Sequence, residues 1–185
     1  MKILVNVFHP NLERSTVNKV LVEAIKGIPN ITIRDLYREY RDLTFRDKIP
    51  MASEKEHLVS HDRIVFQHPV YWYSIPPLFK KWIEDVIDDS WAWGPHSDQL
   101  AGKEWLGAVT CAGDVDSYRP GNFNGYSLDE YLRPLQQTAS LCHMHYRPLF
   151  SVRDVFNLSD EALQQEAERY KTTILSEQLS REFEL

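Results

Sequence analysis

The sequence predicts an α/β fold: a doubly wound, five-stranded parallel sheet in the order 2-1-3-4-5, with helices on both faces. Three observations carry this expectation. Apolar runs at residues 3–8, 31–33, 64–66, 106–110 and around 146–152 recur at wide spacing, as strands buried on both faces do. The segments between them show helical periodicity instead of hairpin turns, which implies βαβ units. The loops after the first and third runs, residues 9–18 and 68–73, are polar and aromatic, and they would lie at the crevice where such sheets bind ligands.

Each element has its own signal. Val17, Val20, Leu21, Ala24 and Ile25 make the buried stripe of a first helix, which Gly27 and Pro29 close. The third strand (Ile64, Val65, Phe66) is expected to break at His68-Pro69 into the aromatic turn Tyr71-Trp72-Tyr73. A helix restarts behind Pro76 and Pro77, because proline suits the first helical turn. Leu78, Phe79, Trp82, Ile83, Val86 and Ile87 form its buried face. Further helices are expected over residues 128–141 and from Ser159 to about Gln178, the latter with a capping serine and an acidic first turn (Asp160, Glu161). No repeat, low-complexity tract or linker divides the 185 residues, so they read as one domain, 1–185.

Composition excludes several classes. The chain is 43% apolar and 26% charged, as soluble globular domains are. A net charge of −6 argues against nucleic acid as a partner. No apolar run reaches the ~20 residues needed to span a bilayer. The opening MKILVNVFHP has no small-residue cleavage site and reads as a strand, not a leader. Two cysteines make no disulfide framework, so a cytoplasmic location is expected. No metal site is expected. His57 and His61 lack a third ligand and read as exposed helical histidines, and Cys142-His143-Met144-His145 straddles a helix end and a strand. Lys80 and Lys81 read as a solvated helix face. Trp91 and Trp93 would either cover a neighbouring subunit's site or pack under a loop.

The candidate site residues sit at strand ends. Ser15, Thr16 and Asn18 enter the first helix, where free amides and the helix dipole attract a phosphate; a serine that only caps the helix is the simpler alternative. The loop matches neither the dinucleotide fingerprint nor the P-loop, which points to a mononucleotide such as FMN. Thr110-Cys111-Ala112-Gly113 offers small residues that admit a ligand close to the backbone, or else an ordinary turn with Gly113 at positive φ. Cys111 reads as a small buried residue, since no histidine and carboxylate are spaced to activate it. FMN is preferred to FAD because little sequence follows the fifth strand to build an adenine pocket. FAD is the alternative if a partner subunit supplies one.

His9, Ser15-Thr16-Val17-Asn18, the segment from His68 to Pro77, Trp91-Ala92-Trp93-Gly94 and Leu100-Ala101-Gly102-Lys103 follow in order. Together they resemble the flavodoxin-fold NAD(P)H quinone oxidoreductases, and within them most closely the ancillary proteins of glutathione-regulated potassium efflux systems. The resemblance covers residues 1 to about 150. It implies that Ser15, Thr16, Val17 and Asn18 hold a flavin phosphate with His9 beside it. Val70, Tyr71, Trp72 and Tyr73 would line the flavin ring and ribityl chain, and Thr110, Cys111, Ala112 and Gly113 the ring's polar edge. Tyr118 would stabilise the charge of the reduced flavin, with Asn124 standing where the family has a histidine; asparagine donates a hydrogen bond but takes up no proton. Further departures are Cys111-Ala112 for Thr-Gly and Tyr71 for a glutamine. The implied activity is hydride transfer from NAD(P)H through the flavin to a quinone or similar electrophile, in a homodimer. The implied alternative is a flavin-binding regulatory subunit, peripheral on the inner face of the cell membrane, docked on a potassium efflux transporter.

Overall fold

The structure, a computed structural model, describes residues 1–44, 46–88, 90–94 and 97–177. β1 (Ile3–Val7), β2 (Ile31–Asp35), β3 (Arg63–Pro69) and β4 (Glu104–Thr110) pair in parallel, in the order β2-β1-β3-β4. β5 (His145–Tyr146) and β6 (Phe150–Val152) both pair with β4, also in parallel. The predicted order holds, but the fifth position is two short strands, not one. Pro148 between them has no amide to give the ladder, and the Leu149 side chain fills the space over Gly107, where a Cβ would lie 2.7 Å from Leu149 Cδ1.

Strand alternation divides the core in two. Leu4 of β1 and Phe8 just after it face α3 (Met51–Val59), α4 (Pro77–Val86) and α6 (Arg133–Leu141), while Ile3, Val5 and Val7 face α1 (Thr16–Ile25) and α7 (Asp160–Leu175). The first face is aromatic: Phe79 stacks on Phe8 and Phe66, and Trp105 lies 4.0 Å from Phe66 between ring centres.

Other expectations shift for identifiable reasons. β3 does not break at His68-Pro69. It runs through both, and the Val70 amide continues to the Thr110 carbonyl at 2.8 Å. The helix expected over 128–141 is divided at Leu132 into α5 (Leu128–Tyr131) and α6, because Pro134 has no amide for the carbonyl of Glu130. α7 starts behind Ser159 as expected but stops at Leu175; the expected end, Gln178, lies outside the described residues. Its last carbonyls are met by Arg63, which is fully buried and donates to the oxygens of Ile174 (2.6 Å) and Ser176 (2.8 Å). The short α2 (Leu36–Glu39) was not predicted; Asp35 caps it. His61 is not an exposed helical residue: it follows α3, is buried, and bonds Thr32 Oγ1 at 2.9 Å. Lys81 is not solvated either, since it packs beside Asp85 at 2.8 Å, whereas Lys80 is exposed. Trp91 is buried within this chain and donates to the Val86 carbonyl at 2.9 Å. Among the described residues no group of three or more metal-ligating side chains occurs, no helix is long and apolar enough to cross a membrane, and Cys111 and Cys142 are free thiols.

His68 is buried, its Nδ1 donating to the Pro69 carbonyl at 2.9 Å and its Nε2 without a partner. Burial lowers its pKa from 6.5 to about 4, against the weaker raising effect of the Pro69 carbonyl. The unfolded chain therefore takes up a proton that the native one refuses. Stability is whole above pH 6.5 and falls as pH drops towards 4, by about 3 kcal/mol at most from this group. Urea unfolding at pH 7 and near pH 4 should show that decline, and His68→Phe should flatten it. An unchanged decline in the variant would refute the assignment.

Candidate active site

The ends of β1, β3, β4 and β6 converge on a cavity of about 550 Å³, within the usual range for ligand sites. Ten of the predicted cofactor residues meet in its lining. His9, Ser15, Thr16, Val17 and Asn18 come from the first loop and helix, Val70 and Tyr71 follow β3, Thr110 ends β4, and Cys111 and Ala112 follow it. Trp72, Tyr73, Gly113, Tyr118 and Asn124 are not part of that lining.

The anion end is built by α1. Ser15 caps the helix, its Oγ accepting from the Asn18 amide at 3.1 Å. That leaves the amides of Thr16 and Val17, the first two of the helix, without an acceptor inside it. The capping and phosphate readings of Ser15 are thus compatible: the cap fixes the turn that presents the free amides. His9 accepts the Asn11 amide on Nδ1 at 3.1 Å, so in the neutral ring the proton sits on Nε2. Burial lowers the His9 pKa, favouring that neutral form. Asn18 has a different task from the expected one. Its carboxamide is spent internally, donating from Nδ2 to Thr110 Oγ1 at 2.9 Å and accepting from Gln67 Nε2 at 3.2 Å.

The aromatic end rests on an unusual turn. Tyr71 and Ser74 exchange backbone hydrogen bonds of 2.9 and 3.0 Å, enclosing Trp72 (φ 48°) and Tyr73 (φ 62°). Positive φ at both central residues is the pattern that favours Asn-Gly, so two aromatic residues there hold strain on the order of 1–3 kcal/mol each. The turn leaves Trp72 93% exposed and tilts Tyr73 against Tyr131, 4.9 Å away between ring centres.

Tyr118 and Asn124 come together behind the β4 loop. A Cβ on Gly113 would lie 2.7 Å from Tyr118 Cε2 and 3.2 Å from Asn124 Nδ2. Gly113 is not among the glycines with positive φ, so its lack of a side chain serves close approach and not a special backbone angle. Burial, followed by contact with Cys111, pushes the Tyr118 pKa up to about 12, so its hydroxyl stays protonated at neutral pH. Asn124 is held by its own backbone, donating to Ser117 O at 3.0 Å and accepting from the Tyr131 hydroxyl.

Five lining residues were not foreseen. Pro69 ends β3, Asn11 caps and Arg14 closes the 3-10 turn before α1, and Val155 and Phe156 follow β6. The latter pair arrives because the β6–α7 loop bonds to the β4 loop, Val155 N to Cys111 O at 3.3 Å and Asp154 N to Gly113 O at 3.1 Å. An aromatic residue between a strand and a capped helix was the one available signal for Phe156. Among the described residues the lining has a cation (Arg14), open amides and hydroxyls, flat apolar walls and no carboxylate. That donor set suits a ligand with a phosphate at one end and a planar ring at the other, as FMN is.

The model of a family described as having a flavodoxin-like fold matches residues 1–174. An uncharacterized NAD(P)H oxidoreductase of Bacillus subtilis is 41% identical over 180 residues, 97% of this chain and 89% of that one. A glutathione-regulated potassium-efflux system ancillary protein from an Enterobacter species is 36% identical over 169 residues, 91% of this chain and 90% of that one. Among solved structures, general stress protein 14 of Treponema denticola in complex with FMN aligns with a TM-score of 0.85 at 32% identity, covering 94% of this chain and 98% of that one. A chain described as a thermophilic tryptophan halogenase from Streptomycin violaceusniger aligns with a TM-score of 0.89 at 39% identity, covering 94% and 98%.

Proposed function

The chain belongs to the flavodoxin-like fold family, and on that premise we propose that it is an FMN-dependent NAD(P)H oxidoreductase that reduces a quinone or similar electrophile. The observation that carries this reading is the cavity itself: free amides of a capped helix at one end, flat walls at the other and, among the described residues, no carboxylate between. Relatives named as NAD(P)H oxidoreductases and a neighbour bound to FMN support it. The donor set answers a phosphate and a flat ring and does not single out a halide.

Bound flavin supplies the hydride and two-electron chemistry. The chain's own residues bind and orient. The Thr16 and Val17 amides, the Ser15 and Thr16 hydroxyls and the Nε2 proton of His9 make the anion end. Val70, Tyr71 and Phe156 form walls that exclude water from the ring. Tyr118, protonated at neutral pH, offers a donor beside the β4 loop where negative charge can be met. Asn124 stands next to it and can donate but not relay a proton.

The exposed aromatics Phe156, in the cavity lining, and Trp72, next to the lining residue Tyr71, support a homodimer in which a second copy covers the slot. A second reading, a regulatory subunit docked on a potassium efflux transporter, rests on the 36% identity with an efflux ancillary protein. A cytoplasmic location, peripheral to the membrane under the second reading, goes with these proposals. The test is steady-state turnover: FMN-loaded protein should oxidise NAD(P)H beyond one equivalent per flavin only when a quinone is added, with saturation in both. Flavin binding without quinone-dependent turnover would favour the regulatory subunit.

A further inference from the structure

A second cavity, of about 580 Å³, opens beside Tyr71, which lines both it and the flavin cavity. Pro10 in its wall lies between His9 and Asn11 of the other lining, so the two spaces adjoin. Tyr37, Tyr40 and Tyr71 give it flat aromatic surface, continued by Leu43 and Leu78. Its cations are Arg41 and Lys81, and among the described residues its lining has no carboxylate.

The polar groups differ in how far they are already engaged. The Tyr40 hydroxyl is spent on Glu54 and Arg34. The Tyr37 hydroxyl accepts from the Leu78 amide at 3.3 Å, which leaves its own hydrogen to donate. Lys81 is held by Asp85 at 2.8 Å, and Lys48 shares that carboxylate at 3.2 Å. Asp47 is turned onto Thr44 at the cavity wall, accepting from its amide at 2.7 Å and its hydroxyl at 2.8 Å. Arg41 meets Asp42 at 3.4 Å, with the two side chains 74% and 90% exposed. Such an exposed pair contributes under about 1 kcal/mol and yields to a better-placed anion. Arg41 is the cation that a ligand can claim.

A flat wall, a hydroxyl donor and a claimable guanidinium beside a flavin cavity answer the far end of a nicotinamide dinucleotide. That end is an adenosine, and in NADPH it carries a phosphate on the 2′ oxygen. The planar guanidinium fork matches a phosphate, and arginine accommodates this one in other dinucleotide sites. We propose that the second cavity holds the adenosine end of the hydride donor, that Arg41 reads its 2′-phosphate, and that the protein prefers NADPH to NADH. The inference rests on the oxidoreductase reading and deepens it by naming the coenzyme. Tyr71, common to both linings, is where the coenzyme crosses from one cavity to the other.

The test is a calorimetric titration of FMN-loaded protein with 2′,5′-ADP and with 5′-AMP, two fragments that need no turnover. Bound FMN occupies the phosphate end of the first cavity, so neither fragment can be taken up there. 2′,5′-ADP should bind about tenfold more tightly than 5′-AMP, the worth of one hydrogen bond to a charged group. Arg41→Gln should abolish that difference, and Arg41→Lys, which keeps the charge and loses the fork, should retain part of it. In turnover, Arg41→Gln should lower the kcat/KM ratio of NADPH to NADH about tenfold, through a higher KM for NADPH. FMN titration of each variant checks that its fold is intact. Equal affinity of the parent for the two fragments, or an undiminished difference in Arg41→Gln, would overturn the proposal. If the parent binds no FMN, the flavin reading fails and this inference with it. FMN binding without a preference for the 2′-phosphate overturns this inference alone.

Discussion

Ser15→Asp is expected to remove FMN binding while leaving the fold intact. Aspartate caps helices as well as serine does, so the bond now made by Ser15 Oγ to the Asn18 amide survives, and a negative charge at a helix N-terminus is favourable in itself. A bound phosphate would face that charge in the same turn. Two unit charges about 4 Å apart interact by about 4 kcal/mol near a protein surface. Even with half of that lost to solvent, a phosphate carrying nearly two charges should bind several hundredfold more weakly, on the order of 3–4 kcal/mol. Flavin titration checks it, alongside a urea midpoint unchanged from the parent. Riboflavin, which lacks the phosphate, should bind both proteins alike. Equal loss of riboflavin and FMN would mean that the substitution damaged the cavity and not the anion end.

The largest stability effect is expected at Glu54. This carboxylate is fully buried in α3 and accepts from Arg34 at 2.7 and 2.9 Å, from the Trp82 indole at 2.7 Å and from the Tyr40 hydroxyl. Burial raises its pKa, but the Arg34 and Tyr40 bonds outweigh this and hold the carboxyl below its usual range. Glu54 thereby ties β2, through Arg34, to α4, the helix that the aromatic turn leads into. Glu54→Ala strands a buried guanidinium and an indole N–H, a loss of about 3–5 kcal/mol for a broken buried pair. Arg34 keeps its contact with Glu39, which places the cost at the lower end of that range. Urea unfolding measures it, and a loss under about 1 kcal/mol would show that the network is not a stabilising tie.

Much of this was legible in the sequence because it lies in local pattern. The all-apolar runs gave the sheet and its order, Ser15 and Ser159 marked helix starts, and the polar residues at strand ends marked the cavity. What escaped depends on distant partners. Glu54 and His61 look like solvated residues until Arg34 and Thr32 are brought beside them. Asn18 looks like a ligand donor until Gln67 and Thr110 claim its carboxamide. Phe156 reaches the cavity only through backbone bonds between the β6 and β4 loops. Local chemistry did mislead at His68-Pro69, where proline suggests a break but sits at the strand's last position, and at Pro148, which splits the fifth strand although the surrounding run is apolar.

An anaerobic NAD(P)H titration of the FMN-loaded protein, followed through the visible flavin band, asks most directly whether NAD(P)H reduces a flavin held in this cavity and a quinone re-oxidises it. Bleaching at one equivalent of NAD(P)H per flavin, with full recovery on adding a quinone, is the predicted result. A bound flavin that stays oxidised with NAD(P)H in excess would contradict the account.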